Sequence, residues 1–386
     1  MTKDRRDASF SASLFFSKGT WCMQREQLIN HSISIIRSNQ HPRGGYIASP
    51  LFPPYAYSWL RDGTFIANAM DRVGQTESAA LFYKWVAGVL ANKRSRVDIL
   101  LQKHANKEWI DRSEFLGTRY HLDGRDDVSE WGHFQLDGYG AWLWGLTEHI
   151  KITGNRALLK ELRESIEITV DYLMTFWHYP NFDCWEEFPD YVHPATLACV
   201  YGGLKALGEL EQRSELLEKA SMVKDFILRH CVYEGRFVKS VHCINEIWKP
   251  ALTGVDASLL WLALPFGVCE VNDPVMLKTV EHIESELKHE GIQRYVDDRY
   301  YGGGEWLLLT AWYGWYQKEL GNHQEAQRCL EWIMSKADEL GRLPEQVPDQ
   351  LREPSAYTEW LAKCGEPALP LLWSHAMFLV LSDSLD

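Results

Sequence analysis

The sequence contains no run of eighteen apolar residues, so nothing in it reads as a membrane-spanning helix. Its start, MTKDRRDASFSASLFF, has an early acidic residue and an apolar stretch broken by serines, which makes a poor export signal. Basic residues are scarce: 40 Lys and Arg stand against 53 Asp and Glu, a formal net charge of −13. A nucleic acid or an anionic membrane needs a basic footprint, so neither is an expected partner, whereas a neutral ligand is indifferent to that balance. The eight cysteines form no CxxC pair, and no Cys/His run has zinc-finger spacing. They read as buried thiols of a reducing compartment, and no metal or cofactor is implied. There is no Pro/Gly/Ser-rich linker and no convincing sheet, the strand-like pieces being as short as Arg236–Val241. The expectation is one cytoplasmic catalytic-sized domain over 1–386, with 1–22 as a lead-in and the oligomeric state open.

Helical periodicity is abundant. Gln24–Gln40 places Leu28, Ile29, Ile33 and Ile36 on one stripe, and Gly63–Val73 does the same with Phe65, Ile66, Ala69, Met70 and Val73. Further helices are expected over Thr76–Asn92, Gly138–Ile152, Arg156–Trp177, Pro194–Glu209, Ser214–Arg229, Asp256–Leu264, Pro274–Lys288, Glu305–Leu320, Gln324–Leu340 and Pro370–Ser382. Asp273 before Pro274 is a good N-cap with proline at the first helical position, and Gly291, Gly321 and Gly341 fall at or past helix ends. Connections after the odd helices are long: roughly 41–62, 93–137, 178–193, 230–255, 289–304 and 342–369. Those after the even helices are short, the one after the eighth being somewhat longer. In consecutive antiparallel helices this alternation crowds six long loops onto one face, where function usually sits. The natural closed form is an all-α (α/α)6 barrel, six inner helices within six outer ones.

The long loops carry the chemistry. The first ends Tyr55-Ala-Tyr57-Ser-Trp59-Leu-Arg61-Asp62. Asp62 reads either as a helix cap or as part of a carboxylate–guanidinium fork for vicinal hydroxyls, with Trp59 to cover a sugar ring. The second holds Thr118-Arg-Tyr120 and Glu130-Trp131-Gly132, then Asp137, itself a possible cap. The third reads Trp185-Glu186-Glu187-Phe188: either an acidic pair in a turn, or a carboxyl whose pKa an apolar wall raises, as a general acid requires. The fifth runs Arg294-Tyr295-Val-Asp297-Asp298, then Gly302-Gly-Gly-Glu-Trp306. Its glycines permit positive φ or close backbone approach, without the Lys-Ser/Thr of a phosphate loop. The sixth holds Pro344-Glu345-Gln346.

Taken in order with Trp373-Ser374-His375, these motifs resemble glycoside hydrolase family 15, the glucoamylase-like family. The resemblance implies an inverting, exo-acting α-glucosidase, with Glu186 as general acid and Glu345 as general base. Arg61 and Asp62 would hold the terminal glucose. Tyr55, Trp59, Trp131, Arg294 and Trp306 would line its subsite or the next, and Glu187 would face the leaving sugar. Gly132, Trp185, Tyr295 and Asp298 belong to the same motifs. No starch-binding domain or N-terminal β-sandwich is recognisable. The block from Thr118 to Trp144 looks like that of small intracellular members that hydrolyse isomaltose. The expected partner is therefore a short soluble α-glucoside, with α-1,4 glucoamylase-type or trehalase activity as alternatives. A non-catalytic glucan-sensing barrel is another, but it would not need both carboxylates. Glu345 is expected in more polar surroundings than Glu186, because a base must stay ionised.

Overall fold

In the computed structural model, which describes residues 24–386, burial sorts the helices into layers. The lead-in expected over 1–22 lies outside the described residues. The α-helices are α1 (Arg25–Ser38), α2 (Leu60–Arg72), α3 (Thr76–Ala91), α4 (Arg94–Ala105), α5 (Asp137–Thr153), α6 (Ala157–Glu161) and α7 (Arg163–Phe176). They continue with α8 (Pro194–Glu211), α9 (Ser214–His230), α10 (Pro274–Leu287), α11 (Leu307–Glu319), α12 (His323–Ser335), α13 (Pro354–Cys364) and α14 (Leu372–Leu385).

Helices α2, α5, α8, α11 and α14 bury residues on nearly every side, and the 3-10 segment Ala257–Leu262 is buried throughout. A helix apolar all round belongs inside. These six contact one another in a closed ring that returns from α14 to α2. Around them α1, α3, α7, α9, α10 and α12 each bury one face. The (α/α)6 barrel is thus formed, with six inner and six outer segments. Its centre is filled by rings: Phe65 stacks on Trp373 with centroids 5.5 Å apart, and Trp261 meets Trp312 at 5.2 Å. Trp142, Trp144, Trp261 and Trp312 are spent in this core.

Four expectations are corrected. The helix expected at Asp256–Leu264 is a 3-10 segment; Pro265 follows at once and disfavours the α region for Leu264. The helix expected over Arg156–Trp177 breaks at Leu162 (φ −103°, ψ 13°), with neither proline nor glycine to mark it. Helices α4 and α13 form inside the second and sixth long loops, where none was expected. The fourth loop carries a hairpin, Ser240–Ile244 with Ile247–Leu252, turning on Asn245 and Glu246 at φ 50° and 64°.

The six long loops are stitched to one another around the rim by backbone hydrogen bonds. The first joins the second at Ser58–Trp59 with Arg119–Tyr120. Phe182 N donates to Phe134 O, 3.0 Å, linking the third to the second. Bridges Val192–Val241 and Asp256–Tyr295 continue round, and Glu305–Trp306 pairs with Gln346–Val347. Leu372 N donates to Ala48 O, 3.0 Å, and closes the circle. The loops are therefore a rigid collar at the N-terminal ends of the inner helices, and not free connections.

Candidate active site

Inside that collar is a cavity of about 480 Å3, lined by residues of the first, second, third, fifth and sixth loops. Tyr55, Trp59, Arg61, Asp62, Trp131, Gly132, Trp185, Glu186, Glu187, Arg294, Trp306 and Glu345 all face it. Two expected lining residues, Tyr295 and Asp298, are absent from its wall and stand one layer out. Asp298 holds Arg294 bidentately, Nε to Oδ2 at 2.8 Å and Nη2 to Oδ1 at 2.5 Å. The Tyr295 hydroxyl donates to Glu187 Oε2 at 2.5 Å. The two orient residues that line the wall.

Arg61 and Asp62 enter from the first turn of α2, whose N-cap is Trp59. Asp62 therefore sits inside the helix, and the cap reading does not hold. The Arg61 guanidinium spends Nη1 on Gln135 Oε1 (2.8 Å) and on Asp137 Oδ2 (3.0 Å). Its Nε lies 3.2 Å from Asp62 Oδ1, and its Nη2 lies 3.9 Å from Glu186 Oε1. Burial pushes the Asp62 carboxyl up to about 6, against the pull of Arg61. Asp137, a possible cap by sequence, is instead the fully buried anchor of Arg61.

Glu186 lies on a tight turn. Its own N–H donates to Asp183 O (2.9 Å), while the Asp183 carboxylate accepts from Trp185 N (3.0 Å) and Glu187 N (2.9 Å). The turn forces positive φ at two non-glycine residues, Glu186 (69°) and Phe188 (52°), a conformation that persists only where its surroundings over-determine it. Only Oε1 of Glu186 is engaged, accepting from Trp59 Nε1 (2.5 Å) and Gln135 Nε2 (3.2 Å). Oε2 has no hydrogen-bond donor among the described residues.

Glu345 is the deeper of the two, 2% exposed. Its Oε1 accepts from the Tyr55 hydroxyl (2.9 Å) and its Oε2 from the Tyr300 hydroxyl (3.2 Å); the two hydroxyls are 2.8 Å apart. Burial pushes its carboxyl up to about 7, with the Tyr55 hydrogen bond and Arg294 pulling the other way. The expectation of more polar surroundings for Glu345 than for Glu186 is corrected by this burial. The segment that carries Glu345 is fixed from behind: Leu343 N donates to His375 Nε2 (3.0 Å) and Glu345 N to Ala368 O (2.9 Å). That gives the Trp373-Ser374-His375 motif a purpose, since a His held neutral by burial, its pKa down to about 3, is the acceptor needed there.

Aromatic faces complete the wall. Arg294 is caged by Trp185, Tyr300 and Trp306, its carbon 5.1–5.3 Å from each ring centre. Arg119 packs 3.5 Å over the Trp131 ring. Among the described residues the indole N–H groups of Trp131, Trp306 and Trp373 find no acceptor, and all three residues line the cavity, where hydroxyls could use them. The sequence reading missed Tyr300, Trp360, Lys363 and Trp373 as lining residues. Trp360 and Lys363 come from α13, which buries only Ala356 and so has no strong apolar stripe to betray it. Tyr300 stood next to a quoted motif and could have been found as an aromatic beside Gly302.

A barrel whose cavity sets two carboxylates among stacking aromatic faces is the apparatus of a glycoside hydrolase. The chain belongs to glycosyl hydrolases family 15, whose sequence pattern matches residues 23–338. It is 38% identical over 367 residues to the isomaltose glucohydrolase of Kribbella flavida, covering 93% of this chain and 92% of that protein. A more distant relative, trehalase 1 of Sulfolobus acidocaldarius, is 27% identical over 310 residues, 76% of this chain and 51% of that one. A solved glycosidase in complex with glucose superposes with a TM-score of 0.87 at 37% identity, covering 94% of this chain and 96% of that one. A bacterial glucoamylase solved with acarbose shares the fold, with a TM-score of 0.72 at 21% identity, over 93% of this chain and 55% of that one. The protein is a glycoside hydrolase of this family, and no helix among the described residues is long and apolar enough to cross a membrane.

Proposed function

We propose that the protein is an inverting exo-α-glucosidase that releases β-glucose from the non-reducing end of short α-glucosides, isomaltose and isomalto-oligosaccharides first among them. It acts as one catalytic domain in the cytoplasm. The observation that carries the reading is the contrast between the two carboxylates of one cavity. Glu345 has both oxygens held by phenol donors, which aim it and favour its ionised form. Glu186 has one oxygen held by N–H donors and the other left over. A proton on Glu186 therefore belongs on Oε2, the oxygen that would deliver it to the glycosidic oxygen. Glu345 would draw a proton from a water attacking the opposite face of C1. The C1–O bond breaks as the water oxygen bonds to C1, and the leaving sugar departs with the proton of Glu186. Arg61 and Asp62 hold the terminal glucose, and their hydrogen bonds gain strength as charge develops on the ring.

The support for a short substrate is a pocket within the small-molecule size range, walled by α13, together with a likeness of 38% identity to an isomaltose glucohydrolase. Trehalase activity is the second reading, favoured by the Sulfolobus relative. Proton NMR of fresh product tests the stereochemistry: β-glucose appears first, and initial α-glucose would make Glu345 a nucleophile instead of a base. Initial rates on isomaltose, maltose, trehalose and soluble starch test the substrate; a higher kcat/KM on trehalose or starch than on isomaltose overturns the preference.

A further inference from the structure

Behind the Trp185–Phe188 turn, away from the cavity, lies a buried cation that the reaction does not touch. Lys239 is 7% exposed and immediately precedes the hairpin of the fourth loop. Its Nζ donates to Asp256 Oδ2 at 2.6 Å and lies 3.6 Å from Asp183 Oδ2. It also sits 3.3 Å from the centre of the Tyr295 ring and 4.8 Å from that of Phe188. Each of these four partners is tied to the candidate acid. Asp183 accepts the two N–H groups that flank Glu186. Asp256 accepts Trp185 Nε1 at 3.0 Å on either oxygen. Tyr295 holds Glu187, and Phe188 is the second residue of the turn at positive φ.

We propose that Lys239 is a positioning residue for the acid step: by clamping Asp183 and Asp256 together it holds Glu186 in its strained conformation over the glycosidic oxygen. The inference rests on the reading of Glu186 as the acid. The physical argument is electrostatic. Two buried carboxylates share the charge of one ammonium, hydrogen-bonded to Asp256 and 3.6 Å from Asp183; without the cation they are two unpaired buried charges of like sign. The relief is for Asp183 to take up a proton or to move away from Asp256. Asp183 carries the turn, so either change slackens its hold on the N–H groups beside Glu186, which can then relax from φ 69°. Arg61, Asp62 and Glu345 enter from other loops and do not depend on the clamp, so the hold on the terminal glucose and the base are spared.

The test uses leaving groups of different need. Hydrolysis of isomaltose requires a proton on the departing oxygen; hydrolysis of α-D-glucosyl fluoride requires far less help, because fluoride leaves as the anion. Lys239→Met is expected to lose about 100-fold in kcat on isomaltose, the loss that goes with roughly 1 Å of misplacement. On the fluoride, which has no leaving sugar, it should lose under about 5-fold, with KM nearly unchanged. Lys239→Arg, which keeps the charge, restores most of the isomaltose rate. If Lys239→Met does not fold, Lys239→Gln, which also removes the charge but keeps a polar side chain, must show the same selective loss. Equal losses on both substrates, or a wild-type rate on isomaltose, overturn the inference. Glu186→Gln is the control that separates the two readings. If it too loses both substrates equally, the assignment of the acid is what fails. If it is selective and the Lys239 variants are not, only the clamp is wrong.

Discussion

Glu345 carries a free-energy cost whenever it is charged, and the sign of that cost can be measured. Its carboxyl is raised from 4.5 to about 7 by burial. A raised carboxylate costs the fold nothing below the unfolded value; the penalty grows as pH rises from about 4.5 to about 7 and is complete above that. At pH 8 it is on the order of 3 kcal/mol. Glu345→Gln should therefore melt above the wild type at pH 8, with the gap closing by pH 5, while kcat falls by several orders of magnitude, since Gln cannot accept the water's proton. Equal melting temperatures at pH 8 would count against the burial argument. As the proposed base, the same group should set the acidic limb of kcat/KM, which should fall as pH drops through about 7. Tyr300 donates to Glu345 Oε2, and its hydrogen bond holds that pKa down. Tyr300→Phe should move the acidic limb upward by about one pH unit; an unmoved or lowered limb refutes the contact. That Glu186 and Glu345 face a common cavity was legible in the sequence through their neighbours, but their relative depth was not. Tyr55 and Tyr300, which bury Glu345, come from loops about 290 and 45 residues away in sequence, and local composition carries no trace of such packing.

At the scale of the element, the twelve barrel segments were readable because inner and outer helices must each present an apolar face at the helical period, and a missing stripe would leave a hole in the wall. Helices α4 and α13 were not. Of their residues only Val97 and Leu100, and Ala356, are buried, so their sequences are free to look like loop. The closeness of α5 and α8 was equally silent. Gly140 and Gly203 face each other where the two helices meet. A Cβ on Gly203 would lie 2.3 Å from Gly140 O, and one on Gly140 would lie 2.4 Å from Cys199 O. Both obstacles are backbone, which cannot rotate aside. Gly203→Ala should therefore destabilise the protein by about 1–3 kcal/mol or more, despite the better helix propensity of alanine. Thermal unfolding measures it. A melting temperature equal to or above the wild type would mean that α5 and α8 can part at no cost.

At the scale of the whole molecule, the barrel separates a charged exterior from a site whose arginines are buried against carboxylates. The formal net charge of −13 gives the protein an anionic field, while Arg61 is buried against Asp62 and Asp137, and Arg294 against Asp298. A neutral glucoside has no monopole for that field to steer. Buried pairs are also screened far less by salt than exposed ones. Raising ionic strength from about 0.01 to about 0.1 M shortens the Debye length from about 30 to about 10 Å, enough to silence most of the surface while leaving the cavity untouched. The kcat/KM for isomaltose should then change by less than about twofold across that range. An anionic sugar ester, if it is hydrolysed at all, should gain rate with salt as the repelling field is screened. A marked salt dependence for the neutral substrate would mean that an exposed charge takes part in binding. Lys363 of α13, the one lysine on the cavity wall among the described residues, is then the residue to replace first.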